Sequence, residues 1–298
     1  MSRIQDILSK AERDGNTRRT RGLSDQGLMG PPATAGSRPQ HTTYEAAAPA
    51  HHAWTPAATA TALEPEQTVI TASTLDRHLV AALAPQSLAA EQYRLLRTRI
   101  KRAENGRAVR AIVVTSPNKG DGKSLTAANL ALTMAQEFQQ RVLLIDADLR
   151  RPSMHRLFGV PEMPGLADVL LGAVELNQAL LNVEHHHLTL LPAGAIPGHP
   201  AELLGSASMR RVLDTLRTRF DHILIDMPPV APLADLHIVA PMADGLLMIV
   251  RAGVTPRPAI ERALAGLDMS KVLGLVLNES GGNVADTTTY REYGYVAG

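Results

Sequence analysis

Three short segments carry side chains whose types and spacing suit phosphate chemistry. The first, TSPNKGDGKS (115–124), follows an apolar run and precedes a helical pattern. Gly120 and Gly122 let backbone N–H groups turn inward around phosphate oxygens without a Cβ clash. Lys123 then reaches the β- and γ-phosphates, Ser124 can ligate Mg²⁺, and the following helix offers its positive end. Lys119, Asp121 and Leu125 complete the residues expected around the nucleotide. Pro117 stands where the strict G-x-x-x-x-G-K-[ST] pattern has its first glycine. The second segment, VLLIDADLR (142–150), ends an apolar run with Asp146 and Asp148 flanking one residue; the third, HILIDMPP (222–229), ends another with Asp226.

Such residues act together only if strands bring them to one place. Short Val/Ile/Leu runs recur at 111–115, 142–146, 187–191, 222–226, 245–250 and 272–278, separated by helical patterns. Continuous apolar strands alternating with helices predict an α/β fold of the P-loop NTPase type, a three-layer arrangement in which a mainly parallel sheet carries helices on both faces. Ligands of open parallel sheets sit at the carboxyl ends of the strands, so all three segments should converge on one crevice.

Composition bounds the rest. The 298 residues are 45% hydrophobic but only 3% aromatic, so the core must be aliphatic. Thirty Lys and Arg against 29 Asp and Glu leave a net charge of +1, which argues against nucleic acid as a partner. The absence of cysteine excludes disulfides, thiolate metal sites and cysteine nucleophiles. No apolar run is long enough to span a bilayer, and the charged start MSRIQDILSKAERDG does not read as a secretory signal, so a cytoplasmic location is expected. Residues 1–15 read either as a short amphipathic helix, with Ile4, Ile7, Leu8 and Ala11 on one face, or as an unstructured end. Residues 16–74 read as a disordered Ala/Pro/Thr-rich linker, because 30–62 contain no Val, Ile, Leu, Phe or Met. The P-loop domain is expected over 75–282 and a flexible tail over 283–298. That tail holds three of the five tyrosines, Tyr290, Tyr293 and Tyr295, which have nothing to pack against. His185, His186 and His187 point in different directions as consecutive residues and do not suggest a metal site.

With these motifs in view, the chain from about 87 to 298 resembles the bacterial tyrosine kinases (BY-kinases) of the CpsD/CapB type, P-loop autokinases of capsule and exopolysaccharide export. TSPNKGDGKS matches the family's Walker A, with Lys119 where the family usually has Pro. LLIDADLR (143–150) matches its Walker A′ including Arg150, and ILIDMPP (223–229) its Walker B. PGHPAELL (197–204) is similar to the family loop P-x-N-P-x-E-L-L, with His199 at the Asn position. Glu91, Arg94 and Arg97 match its E-x-x-R-x-x-R oligomerisation helix, although spacing alone would favour a solvated charged face.

The resemblance implies ATP-dependent tyrosine autophosphorylation of Tyr290, Tyr293 and Tyr295, regulating polymerisation or export of an exopolysaccharide or capsule. It implies ATP held by Lys123 and the loop amides, Mg²⁺ held by Ser124 and Asp148 with Asp226 in its outer shell, and Asp146 orienting or deprotonating the tyrosine hydroxyl. Arg150 either compensates the crowded carboxylates or binds phosphate. Arg251 and Asn278 either contact nucleotide, Asn278 reading adenine, or cap strand ends. Implied partners are a membrane chain-length-determinant protein as activator, further copies forming a homo-oligomeric ring, and a phosphotyrosine phosphatase. The protein would then lie peripheral to the inner membrane. The rival expectation is a ParA/MinD-type positioning ATPase. Its signature lysine position is held here by Asn118, with Lys119 one place away.

Overall fold

Each apolar run becomes a strand of a single sheet. The structure, a computed structural model, describes residues 69–279 apart from 105, 138–139, 185 and 231–233. The expected helix at 1–15, nearly all of the linker, and the tail with Tyr290, Tyr293 and Tyr295 lie outside the described residues. The strands are β1 (Val69–Ile70), β2 (Ala111–Thr115), β3 (Val142–Asp146), β4 (Leu181–Val183), β5 (Leu188–Leu191), β6 (His222–Asp226), β7 (Gly245–Arg251) and β8 (Val272–Asn278). They are ordered β1-β4-β5-β3-β6-β2-β7-β8. Every neighbouring pair is parallel except β4–β5.

The helices are α1 (Val80–Leu83), α2 (Leu88–Ala103), α3 (Lys123–Ala135), α4 (Met154–Phe158), α5 (Leu166–Leu170), α6 (Leu176–Ala179), α7 (Pro200–Leu204), α8 (Ala207–Arg219), α9 (Asp235–Val239) and α10 (Arg257–Ala265). Because strand side chains alternate between faces, each central strand feeds two cores. Val113, Leu143, Ile145, Ile223, Ile225 and Met248 join one with α5, α8 and α9. Ile112, Val114, Leu144, Leu224, Leu247 and Ile249 join the other with α2, α3 and α4. Covering both faces is why the strands read as unbroken apolar runs rather than alternating ones. The segment that carries Glu91, Arg94 and Arg97 forms α2, its N-cap Ser87 hydroxyl accepting from Ala90 N–H at 3.2 Å.

The linker boundary at 74 needs correction. Val69 and Ile70 pair with Asn182 and Val183 in the sheet. The next residues are tied to α4, with the Thr74 hydroxyl donating to Phe158 C=O at 3.0 Å and Asp76 N–H to Leu157 C=O at 2.8 Å. A two-residue strand has no periodicity to read; Ile70 is buried, and backbone pairing with β4 fixes the register.

Candidate active site

The register of the three central strands assembles the site. Asp226 at the end of β6 lies opposite Val114 of β2 on one side and Asp146 of β3 on the other. The β2–α3 loop is fastened to the β6 exit by the Thr115 hydroxyl, which donates to Pro228 C=O at 2.8 Å.

Within that loop Gly120 and Gly122 have φ of +88° and +89°. At Gly120 the dihedral alone demands glycine. At Gly122 space demands it too, since a Cβ would lie 2.1 Å from Asn278 Nδ2. Between them the Asp121 carboxylate is taken up by hydrogen bonds on both oxygens. Oδ2 accepts from Asn118 N–H at 2.8 Å and Oδ1 from the Thr255 hydroxyl at 2.8 Å, while Asn278 Nδ2 donates to the Asp121 carbonyl at 3.0 Å. The loop is thus held from the β7–α10 connection and from the end of β8.

Lys123, the first residue of α3, reaches into the carboxylates. Its Nζ is 2.9 Å from Asp148 Oδ2, 3.0 Å from Ser124 Oγ and 3.4 Å from Asp226 Oδ2, and the Ser124 hydroxyl donates to Asp226 Oδ2 at 2.6 Å. Burial pushes Asp226 up to about 7, with Asp146 and Asp148 adding to the rise and Lys123 opposing it. Burial likewise raises Asp146 to about 6, against the backbone N–H groups of Met154 and Ser153, both 2.9 Å from its Oδ2. Its Oδ1 accepts from Asp148 N–H at 3.2 Å. For Lys123, burial favours the neutral amine but is outweighed by Asp226 and Asp148, so its pKa rises. Glycine amides, a lysine and hard oxygen donors can grip a nucleotide phosphate and an accompanying divalent cation. Among the described residues no group of three acidic or histidine side chains is placed to hold a metal ion by itself.

The comparisons with known proteins fit this geometry. Residues 109–256 match the AAA-domain family model. The tyrosine-protein kinase YwqD of Bacillus subtilis (strain 168) is 37% identical over 225 residues, covering 75% of this chain and 92% of that protein. The chain belongs to the bacterial tyrosine kinases. The tyrosine-protein kinase CpsD of Streptococcus agalactiae is 32% identical over 207 residues, 68% of this chain and 89% of that one. A solved structure, the chimerical protein CapA2B2, superposes with a TM-score of 0.66 at 30% identity, covering 73% of this kinase and 95% of that chain. The rival ParA/MinD-type expectation gives way to this kinship. Among the described residues no helix is long and apolar enough to cross a membrane.

The remaining expected site residues of this kinase fall into place unevenly. Arg150 makes a two-pronged pair with Asp235, Nε to Oδ2 at 2.7 Å and a second guanidinium nitrogen to Oδ1 at 3.0 Å. Arg251 pairs with Glu279 at 2.6 Å. Lys119 is exposed, and Leu125 packs against the core beneath α3. On α2, Arg94 is bonded to Glu91 at 2.7 Å and Arg97 to Thr133 C=O at 2.7 Å, so all three charges are engaged within the chain. His199 precedes α7 without a side-chain cap bond. Two site residues escaped the sequence reading. Asp235 and Thr255 sit in no phosphate motif, and their partners are 85 and 134 positions away.

Proposed function

We propose that this kinase transfers the γ-phosphoryl group of ATP to Tyr290, Tyr293 and Tyr295 of its own tail, in the service of capsule or exopolysaccharide polymerisation and export. The observation that carries the reading is Lys123 Nζ, set between Ser124, Asp148 and Asp226 at the mouth of a loop that only glycines can form.

Phosphoryl transfer asks for positioning and charge neutralisation more than covalent participation by the protein. Lys123 and the loop amides hold the β- and γ-phosphates in line with the incoming hydroxyl. Ser124 and Asp148 would ligate Mg²⁺, with Asp226 in the outer shell; when bound, the ion neutralises charge on the phosphates. The tyrosine oxygen attacks the γ-phosphorus, the bond to the β-bridging oxygen breaks, and ADP leaves. Asp146 orients the hydroxyl and takes its proton through Oδ1, the oxygen with the longer backbone bond. A carboxyl raised to about 6 is a better base near neutrality than an ordinary aspartate. The same reading places a membrane chain-length-determinant protein beside it as activator, further copies in a ring joined through Glu91, Arg94 and Arg97, and a phosphatase to reset it.

The test is to incubate the purified chain with ATP and Mg²⁺ and probe for phosphotyrosine. Replacing Tyr290, Tyr293 and Tyr295 together by Phe should remove most of the label. Label that survives the triple replacement would refute the tail as acceptor.

A further inference from the structure

Arg150 presents a physical puzzle: a strong cation sits two residues from Asp148, a carboxylate whose proposed task is to meet a metal ion. In a confined, partly desolvated site a guanidinium and a carboxylate seek each other, forming short two-pronged pairs. Had Arg150 closed onto Asp148, it would occupy the oxygens that Lys123 and a divalent cation need. Asp148 and Glu202 both lie close enough to act on the Arg150 charge. Yet the guanidinium turns to neither. It is held at 2.7 and 3.0 Å by Asp235, in the first turn of α9. Asp235 is 1% exposed whereas Arg150 is 37% exposed. The acid is therefore the fixed member and the arginine the one with other places to go.

We propose that Asp235 is a positioning residue that keeps the Arg150 guanidinium off Asp148, leaving that carboxylate free for the divalent cation that accompanies the nucleotide. This deepens the reading of the site as a nucleotide and Mg²⁺ site, and rests on it. The arrangement also explains why an arginine is tolerated beside the cluster. Its charge acts on Asp148 from a distance, while its hydrogen bonds are taken up by Asp235.

The pairing makes an epistatic prediction that a purely structural contact would not. Asp235→Asn keeps the shape but loosens the fork, so the freed arginine should compete for Asp148. Removing the competitor as well, in Asp235→Asn with Arg150→Gln, should relieve the competition; replacing both members of a buried pair is also often well tolerated. The measurement is calorimetric affinity for ADP with Mg²⁺ and with EDTA, which reads cation binding without requiring turnover. Wild type should bind ADP more tightly with Mg²⁺. Asp235→Asn should lose about tenfold or more of that gain, equivalent to about 1.4 kcal/mol. The double variant should recover to within about threefold of wild type. An undiminished Mg²⁺ gain in folded Asp235→Asn, or a double variant as impaired as the single, would overturn the proposal. Should Asp235→Asn not fold, Arg150→Lys substitutes, since lysine cannot make both bonds; a reduced gain is expected and an unchanged one overturns the idea. Wild type binding ADP equally in Mg²⁺ and EDTA would instead overturn the reading of the site itself.

Discussion

Asp226 and Asp244 are two sheet-end aspartates with cationic partners, and they end up chemically opposite. Asp244 sits just before β7, at the amino ends of the central strands. It receives a fork from Arg217 at 2.8 and 3.0 Å plus the N–H groups of Ala111 at 2.8 Å and Arg110 at 3.0 Å. Burial pushes its pKa up, but the Arg217 and backbone hydrogen bonds outweigh it and hold the carboxyl below its ordinary value. Asp226, at the carboxyl end of β6, accepts from the Ser124 hydroxyl and shares one lysine with Asp148, so burial wins and lifts it to about 7. A satisfied carboxylate stays charged and knits the fold. An under-satisfied one is costly until something positive arrives, and at the carboxyl ends of parallel strands that something is a ligand.

Breaking the two sites should therefore have unequal consequences. The largest effect is expected from Lys123→Met, which should lower phosphotyrosine formation by at least about a thousandfold in a timed immunoblot, the scale on which a single transition-state cation acts in phosphoryl transfer. Next, Asp226→Asn should abolish labelling while raising the thermal midpoint of the ligand-free protein at pH 7 to 8, by about 2–4 °C for each kcal/mol of repulsion relieved. Asp244→Asn should do the reverse, costing about 2 kcal/mol in denaturant unfolding as Arg217 and two backbone N–H groups lose a charged acceptor, with nucleotide affinity unchanged.

The smallest effect is the finest test of the contrast. Asp244 has a lowered folded pKa, so its contribution is present above the unfolded value of 3.8 and is lost as pH falls through the folded value below it. Asp226 has a raised one and keeps its proton in the native state up to about pH 7, whereas the unfolded chain releases it near 3.8. Its linkage therefore makes ligand-free stability fall as pH climbs between those values, and Asp146 acts in the same sense up to about 6. Thermal midpoints across pH 3 to 8 should rise and then decline. Asp244→Asn should flatten the acid limb alone and Asp226→Asn the neutral limb alone.

What the sequence reveals of this site is what must be contiguous. A loop that wraps a phosphate needs its glycines, lysine and hydroxyl in a row, so Gly120 to Ser124 could be read directly. Asp146, Asp148 and Asp226 were legible because each closes an apolar run, and the ends of parallel strands face one crevice. The supporting contacts are not contiguous. Nothing near Asp235 announces Arg150, and nothing near Thr255 announces Asp121, because both pairs form only after the sheet has closed. The same limit applies to the sheet's margin. The central strands are long apolar stretches, whereas β1 has two residues and β4 three, and β4, whose Asn182 is only partly buried, alone runs antiparallel to its neighbour β5.

The way β8 ends has a kinetic consequence. Its last residue, Asn278, is bonded to the phosphate loop, and Glu279 is pinned by Arg251, so the chain departs from the rim of the nucleotide site. Tyr290 follows Glu279 by eleven positions, which limits it to about 36–40 Å from that anchor even when fully extended. On the proposed reading Tyr290 is a tethered acceptor, and a tether of that length sets an effective concentration on the millimolar scale. The first transfer should then be paced by nucleotide supply if it occurs within one chain, and by subunit encounter if the tail serves a neighbouring copy.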